Sequence, residues 1–188
     1  MLDKIYVLLV HYPCLGRDQQ IIATAVTNVD IHDIARVCRT YNVKKYYMVT
    51  NLPAQQEIVR RVVQFWTEGS GIRYNPNRSE ALNYVILKPY LEDALEEIER
   101  IENQKPVLIF TSAKKRPSSM TYDEGQRLLL TETRPIVLLF GTGWGLPAEV
   151  LSLCDYDLEP VRPGGSFNHL SVRSAVSIIL DRLIRENY

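Results

Sequence analysis

Cysteine is scarce in these 188 residues, and the three present (Cys14, Cys38 and Cys154) are widely spaced. They form no Cys-x-x-Cys pair and no Cys/His spacing suited to a metal, so neither a disulfide framework nor a zinc site is expected. Reduced thiols in a cytoplasmic protein are the default reading. Long apolar runs are also missing: none approaches the roughly 18 residues that a membrane span needs. The opening MLDKIYVLLVHYP has an apolar stretch, but Asp3 precedes it and His11-Tyr12-Pro13 ends it. The basic start and small-residue cleavage site of a secretion signal are absent, so a buried first strand is the expectation. Charge of one sign is not in excess either, with 22 basic residues against 22 acidic ones. Global charge therefore neither demands nor excludes a nucleic-acid partner, and any RNA-binding surface must come from local clustering. Internal repeats and low-complexity segments are absent.

What is present describes an ordinary globular chain, 46% hydrophobic and 23% charged. Its length fits one domain spanning residues 1–188, which at this size buries roughly 70% of its unfolded surface. Short β-forming runs at 4–10, 43–50, 84–87, 107–111 and 135–140 read as strands, with a last short strand at 156–161. The residues from 20 to 26 read either as a short strand or as an extended approach to a helix. Helical periodicity occupies 31–41 (after cap residues 27–30), 53–68, 91–101, 122–130 and about 170–185, whereas 70–83 reads as loop. In the second helix Ile58, Val62, Phe65 and Trp66 are expected to share a face. Alternating strands and helices indicate an α/β fold with a mainly parallel sheet flanked by helices. Runs such as VLLV, VLIF and IVLLF suit strands covered on both faces. In such sheets ligands gather beyond the carboxyl ends of the strands, which directs attention to 111–118, 141–147 and 161–169.

The strand at 135–140 runs into Gly141-Thr142-Gly143-Trp144-Gly145-Leu146-Pro147. Alternate glycines permit positive φ and leave room for a ligand against the backbone. A dinucleotide-binding Rossmann turn requires GxGxxG opening a helix, usually in the first βαβ unit; here the spacing is GxGxG, late in the chain, with Pro147 following. A purely structural turn is the plainer alternative.

Four segments together resemble the SPOUT methyltransferases, in that family's order. DIHDIARVCRTYNVKKYYMV is similar to its first motif, FTSAKKRP to its threonine/serine loop, FGTGWGLP to its glycine loop, and PGGSFNHLSVRSAVSIILDRL to its Ser-x-Asn loop and closing helix. Residues 53–105 lie outside the likeness. The resemblance implies a C-terminal deep trefoil knot, a homodimer, S-adenosylmethionine as cofactor and RNA (tRNA or rRNA) as substrate. Carried over position by position, Thr111, Ser112, Ala113, Gly141, Thr142, Gly145, Leu146, Val161, Gly165, Asn168 and Leu170 hold the cofactor. The same resemblance implies a catalytic role for Arg36, Ser166 and Asn168. The sequence departs from the family where Thr142-Gly143-Trp144 replaces an acidic residue, and where His169 is inserted before Leu170. A cofactor-binding module without catalysis of its own is the competing reading.

Methyl transfer needs nucleophile, methyl and leaving sulfur in line, which is a matter of positioning and requires no metal. Arg36 stays charged and suits orienting a phosphate or acceptor nucleotide better than taking a proton. Asn168 can also cap the closing helix, and His169 is a candidate base or a structural loop residue. Trp144 packs either on a base or on the core. Of the basic clusters, Lys114-Lys115-Arg116 is the one expected to meet an RNA backbone, because it follows a cofactor loop.

Overall fold

The structure is a computed structural model and describes residues 4–162 and 167–184. At its centre is β1 (Ile5–Val10), six residues that are all buried. It pairs in parallel with β4 (Lys45–Val49) and β7 (Ile136–Gly141). The sheet continues outward through β5 (Val85–Lys88) on one side and through β6 (Val107–Thr111) and β8 (Tyr156–Leu158) on the other, giving the order β5-β4-β1-β7-β6-β8. Every pairing in it is parallel. The remaining strands, β2 (Cys14–Leu15) and β3 (Ile21–Ile22), form a small antiparallel ribbon. Only these two residues of the 20–26 stretch are strand.

The unbroken apolar runs follow from burial on both faces, since side chains alternate along a strand. Ile5, Val7 and Leu9 face one core, lined by α1 (Asn28–Thr40), α2 (Pro53–Thr67), α4 (Pro76–Leu82), α6 (Tyr122–Thr131) and α8 (Val172–Ile184). Tyr6, Leu8 and Val10 face the other, lined by α5 (Leu91–Glu102) and α7 (Ala148–Leu151). Local signals set the helix starts. The Thr27 hydroxyl accepts from the Asp30 amide to cap α1. Thr121 and Glu124 make a reciprocal capping box on α6, the carboxylate accepting from the Thr121 amide at 2.7 Å.

Three expectations need correction. Residues 70–83 are not loop: they hold α3 (Gly71–Tyr74) and α4, the latter started by the Asn75 side chain, which accepts from the Arg78 amide at 3.0 Å, and by Pro76 in the first turn. An Asn-Pro start is a helix signal, but the helix is too short for periodicity to declare it. On α2 the buried residues are Val59 and Trp66, while Ile58 and Phe65 are 42% and 49% exposed. One residue of error turns a helix face by about 100°. The final strand stops at Leu158, and α7 follows the glycine loop without having been expected. Among the described residues no helix is long and apolar enough to cross a membrane. The segment 163–166, part of the region where the knot is expected, lies outside the described residues.

Candidate functional site

Register brings the predicted loops together. Val10 pairs with Gly141, Phe140 with Thr111, and Thr111 with Leu158, so β1, β7, β6 and β8 release their loops along one edge of the sheet. Two of the glycines are dictated by close approach. A Cβ on Gly141 would lie 2.8 Å from the Leu146 side chain, which folds back into the core, and one on Gly143 would lie 2.9 Å from the Leu15 carbonyl oxygen. Gly143 and Gly145 have φ of +60° and +110°, and a Cβ on Gly145 meets nothing within 4 Å. The loop is docked on β2: Leu15 N–H donates to the Gly145 carbonyl at 2.8 Å and Trp144 N–H to the Leu15 carbonyl at 3.0 Å.

The hydroxyls of this region point inward. Thr111 donates to the Leu139 carbonyl at 2.8 Å. Thr142 donates to the Val10 carbonyl at 3.0 Å, which leaves its oxygen to accept from Thr24 at 2.5 Å; the Cys14 sulfur lies 3.3 Å from the same oxygen. Thr24 Oγ1 also lies 2.9 Å from His11 Nδ1 and 3.4 Å from the His11 carbonyl, which can accept from it. His11 is 1% exposed, and its Nε2 has no hydrogen-bond partner among the described residues. Burial lowers its pKa to about 4, Asp30 opposing the shift, so the imidazole is neutral. Burial likewise pushes the Cys14 thiol up, and it stays protonated while donating to the Val10 carbonyl. Asp30, also buried, accepts from the Thr27 hydroxyl at 2.5 Å and from Arg173 of α8 at 3.4 Å; Arg173 also reaches Asp33 at 3.6 Å. The beginnings of α1 and α8 are thus joined behind the loops.

What faces outward is backbone, uncharged side chain and the two lysines of the loop after β6. Asn168 Nδ2 donates to the Ala113 carbonyl at 3.1 Å and ties the last loop to the one after β6; Ser112 Oγ accepts from the Lys114 amide at 3.1 Å. Trp144, Phe167 and Leu170 are 56%, 75% and 45% exposed on these loops, and Val161 packs half-buried against the main core. Gly165 and Ser166 lie outside the described residues. Arg36 is exposed on α1 and makes no hydrogen bond or ion pair with the loop residues among the described residues; its carbonyl accepts from Thr40. Of the basic triplet, Lys114 and Lys115 are exposed, but Arg116 lies over the Phe110 ring at 4.7 Å and 3.6 Å from Asp157. Two surface grooves of about 300 and 410 Å³ flank α2 and take no residue from these loops; the loop edge is the candidate site because three loops meet there beyond the carboxyl ends of the parallel strands.

The glycine turn opens into Pro147 and a four-residue helix, so it lacks the long helix N-terminus that seats a pyrophosphate. Apolar rims and backbone polar groups suit an adenosyl group instead, and S-adenosylmethionine fits the donor set. These loops lie together at the carboxyl edge of a parallel six-stranded sheet, where such folds take their ligands. The chain belongs to the S-adenosylmethionine-dependent RNA methyltransferase family, whose model matches residues 4–185. It is 38% identical over 185 residues to an uncharacterised protein of Aquifex aeolicus, covering 98% of this chain and 90% of that one. It is 40% identical over 181 residues to a tRNA (guanine-N(1)-)-methyltransferase of Oleidesulfovibrio alaskensis, covering 96% of this chain and 42% of the relative. The chain therefore spans less than half the length of that enzyme. Among solved structures it shares its fold with the TrmH/SpoU tRNA modifying enzyme of A. aeolicus, with a TM-score of 0.58 and 17% identity over 96% of this chain and 74% of that one.

Sequence reasoning missed His11, Thr24, Asp30 and Arg173. Asp30 was visible only as one of several cap residues, and Arg173 only as part of the closing helix. Nothing local marks His11 or Thr24: His11 meets Thr24, and Thr24 in turn meets Thr142, 118 residues further on.

Proposed function

We propose that this chain methylates tRNA, working as a single domain over residues 1–188 and as a knotted homodimer in the cytoplasm. The observation that carries the reading is the meeting of the β6, β7 and last loops, joined by Asn168 and Ala113, on the edge of a family-member sheet. The similarity to a tRNA methyltransferase over nearly the whole of this chain supports tRNA as the substrate class.

The cofactor supplies an electrophilic methyl group when bound. It would be held by the backbones of Thr111 to Ala113 and of Gly141, Thr142, Gly145 and Leu146, with Val161, Gly165, Asn168 and Leu170 as the further residues of the site. Because the Thr111 and Thr142 hydroxyls are spent on the fold, their contribution is the shape of the backbone. Among the described residues Arg36 makes no hydrogen bond or ion pair with this cluster within one subunit, so the catalytic role proposed for it goes together with a second subunit that brings it to the site. There it orients the acceptor nucleotide with Ser166 and Asn168. Lys114 and Lys115 take RNA phosphates.

Labelled S-adenosylmethionine with total RNA is the direct test. Label in the tRNA fraction, lost in Arg36→Ala, is the expected result, and sedimentation at micromolar concentration should return a dimer. Cofactor binding with no transfer to any RNA fraction would instead establish the module without catalysis.

A further inference from the structure

The helices between β4 and β5 lie outside the four motif-like segments, yet they build a surface of their own. Its keystone is Trp66 on α2, only 8% exposed. Its ring meets His32 of α1 at 5.7 Å and Tyr74 of α3 at 6.4 Å, both between centroids, and the Arg78 guanidinium of α4 lies over it at 4.7 Å. Four helices are therefore pinned to one side chain. The outermost member, Tyr74, is 82% exposed, and an aromatic ring left so far in water contributes little to folding.

The charges around it make no ion pair among the described residues, unlike their neighbours. Arg60 and Arg61 pair with Glu57, and Arg39 with Glu80. Arg73, beside Tyr74 and exposed, and Arg78 make no ion pair among the described residues, and buried Arg78 Nε and His32 Nδ1 have no hydrogen-bond partner there. Arg36 stands one turn beyond His32 on the same side of α1 and is exposed. Both Arg78 and Arg36 act on His32, whose pKa is lowered by burial first and then by these cations, with Asp33 opposing. An exposed ring framed by unpaired arginines is complementary to an unpaired nucleotide: the base stacks on the ring and the flanking phosphates meet the cations.

We propose that the surface formed by Tyr74, Arg73, Arg78 and Arg36 binds single-stranded RNA, stacking an unpaired base on Tyr74. The proposal rests on the reading of RNA as substrate, and extends it to a docking surface outside the cofactor loops. It makes Arg36 continuous with an RNA path across α1, α3 and α4. The chain has no net charge with which to attract RNA as a whole, so a local platform of this kind supplies the affinity.

The test uses the full chain, an unstructured labelled RNA oligonucleotide of mixed sequence, and bulk tRNA. In anisotropy titrations Tyr74→Ala should weaken oligonucleotide binding by about tenfold, and Tyr74→Trp should restore it. Arg73→Ala should reduce the dependence of log affinity on log salt by about one contact. Affinity for S-adenosylmethionine, measured by calorimetry, and sedimentation should stay at wild-type values. Wild-type RNA affinity in both variants, or no RNA binding by the wild-type chain, overturns the proposal. A change in oligomeric state in Tyr74→Ala also overturns it, assigning the face to a second copy of the chain. The two readings separate cleanly. Methyl transfer that survives with an unchanged KM for tRNA in both variants removes the platform and keeps the function. Tyr74-dependent RNA binding without any transfer by the wild type keeps the platform and removes the function.

Discussion

The hydroxyl of Thr24 lies 2.5 Å from that of Thr142, although 118 residues separate them. This contact fastens the segment after β3 to the glycine loop after β7, in a hydrogen-bonded chain that runs from His11 to the Val10 carbonyl. The glycine loop is thereby held from behind, leaving its outward face free for a ligand.

Thr142→Val should remove the acceptor of Thr24 and the donor to Val10 together. A loss of about 1–3 kcal/mol in stability is expected, since a part-buried hydroxyl is left without its partner. The affinity for S-adenosylmethionine should fall with it. Thr24→Val should cost a similar amount, and the double variant less than the sum of the two, as contacting residues are not additive. Urea unfolding of the four proteins completes the cycle.

His11 makes stability depend on pH in a defined window. Its folded pKa of about 4 lies below the ordinary 6.5, so the unfolded chain binds the proton more readily. The contribution is fully present above pH 6.5 and is lost as pH falls through 6.5 toward 4. Between pH 7 and pH 5 it amounts to about 2 kcal/mol. His32 is lowered as well and acts in the same direction, so the quantity to measure is the difference between the wild type and His11→Asn. Equal slopes in the two proteins would contradict the assignment.

Gly143→Ala should disturb the site at its base. The new Cβ would stand 2.9 Å from the Leu15 carbonyl oxygen at a φ of +60°, in the very peptide region that receives the Trp144 amide. A cost of about 1–2 kcal/mol and a marked loss of cofactor affinity are expected. Calorimetry with S-adenosylmethionine decides it.

The basic triplet should divide by position. Exposed Lys114 and Lys115, changed together to Gln, should leave stability within about 0.5 kcal/mol while weakening RNA binding and its salt dependence. Arg116→Gln should have the opposite profile, because its guanidinium lies on Phe110 and beside Asp157 at the β6–β8 edge. Melting temperatures and RNA titrations on both variants separate the roles.

The sequence by itself determined the sheet and the loops that end it. Runs such as Ile136–Phe140 are apolar without alternation, and only a strand covered on both faces makes use of that pattern. A glycine at Gly143 or Gly145 is a local necessity of backbone conformation, so the glycine loop could be read from its own residues. Tertiary structure decided what those local signals cannot contain. The face of α2 turned on a one-residue difference between Phe65 and Trp66, settled by which ring found His32 and Arg78. The short α3 and α4 exist because burial of Gly71, Ala81 and Leu82 outweighs weak helical preference. The His11–Thr24–Thr142 chain and the Asp30–Arg173 pair join residues far apart in sequence, and hydrogen bonds depend on distances of a few tenths of an ångström that only the packed sheet sets.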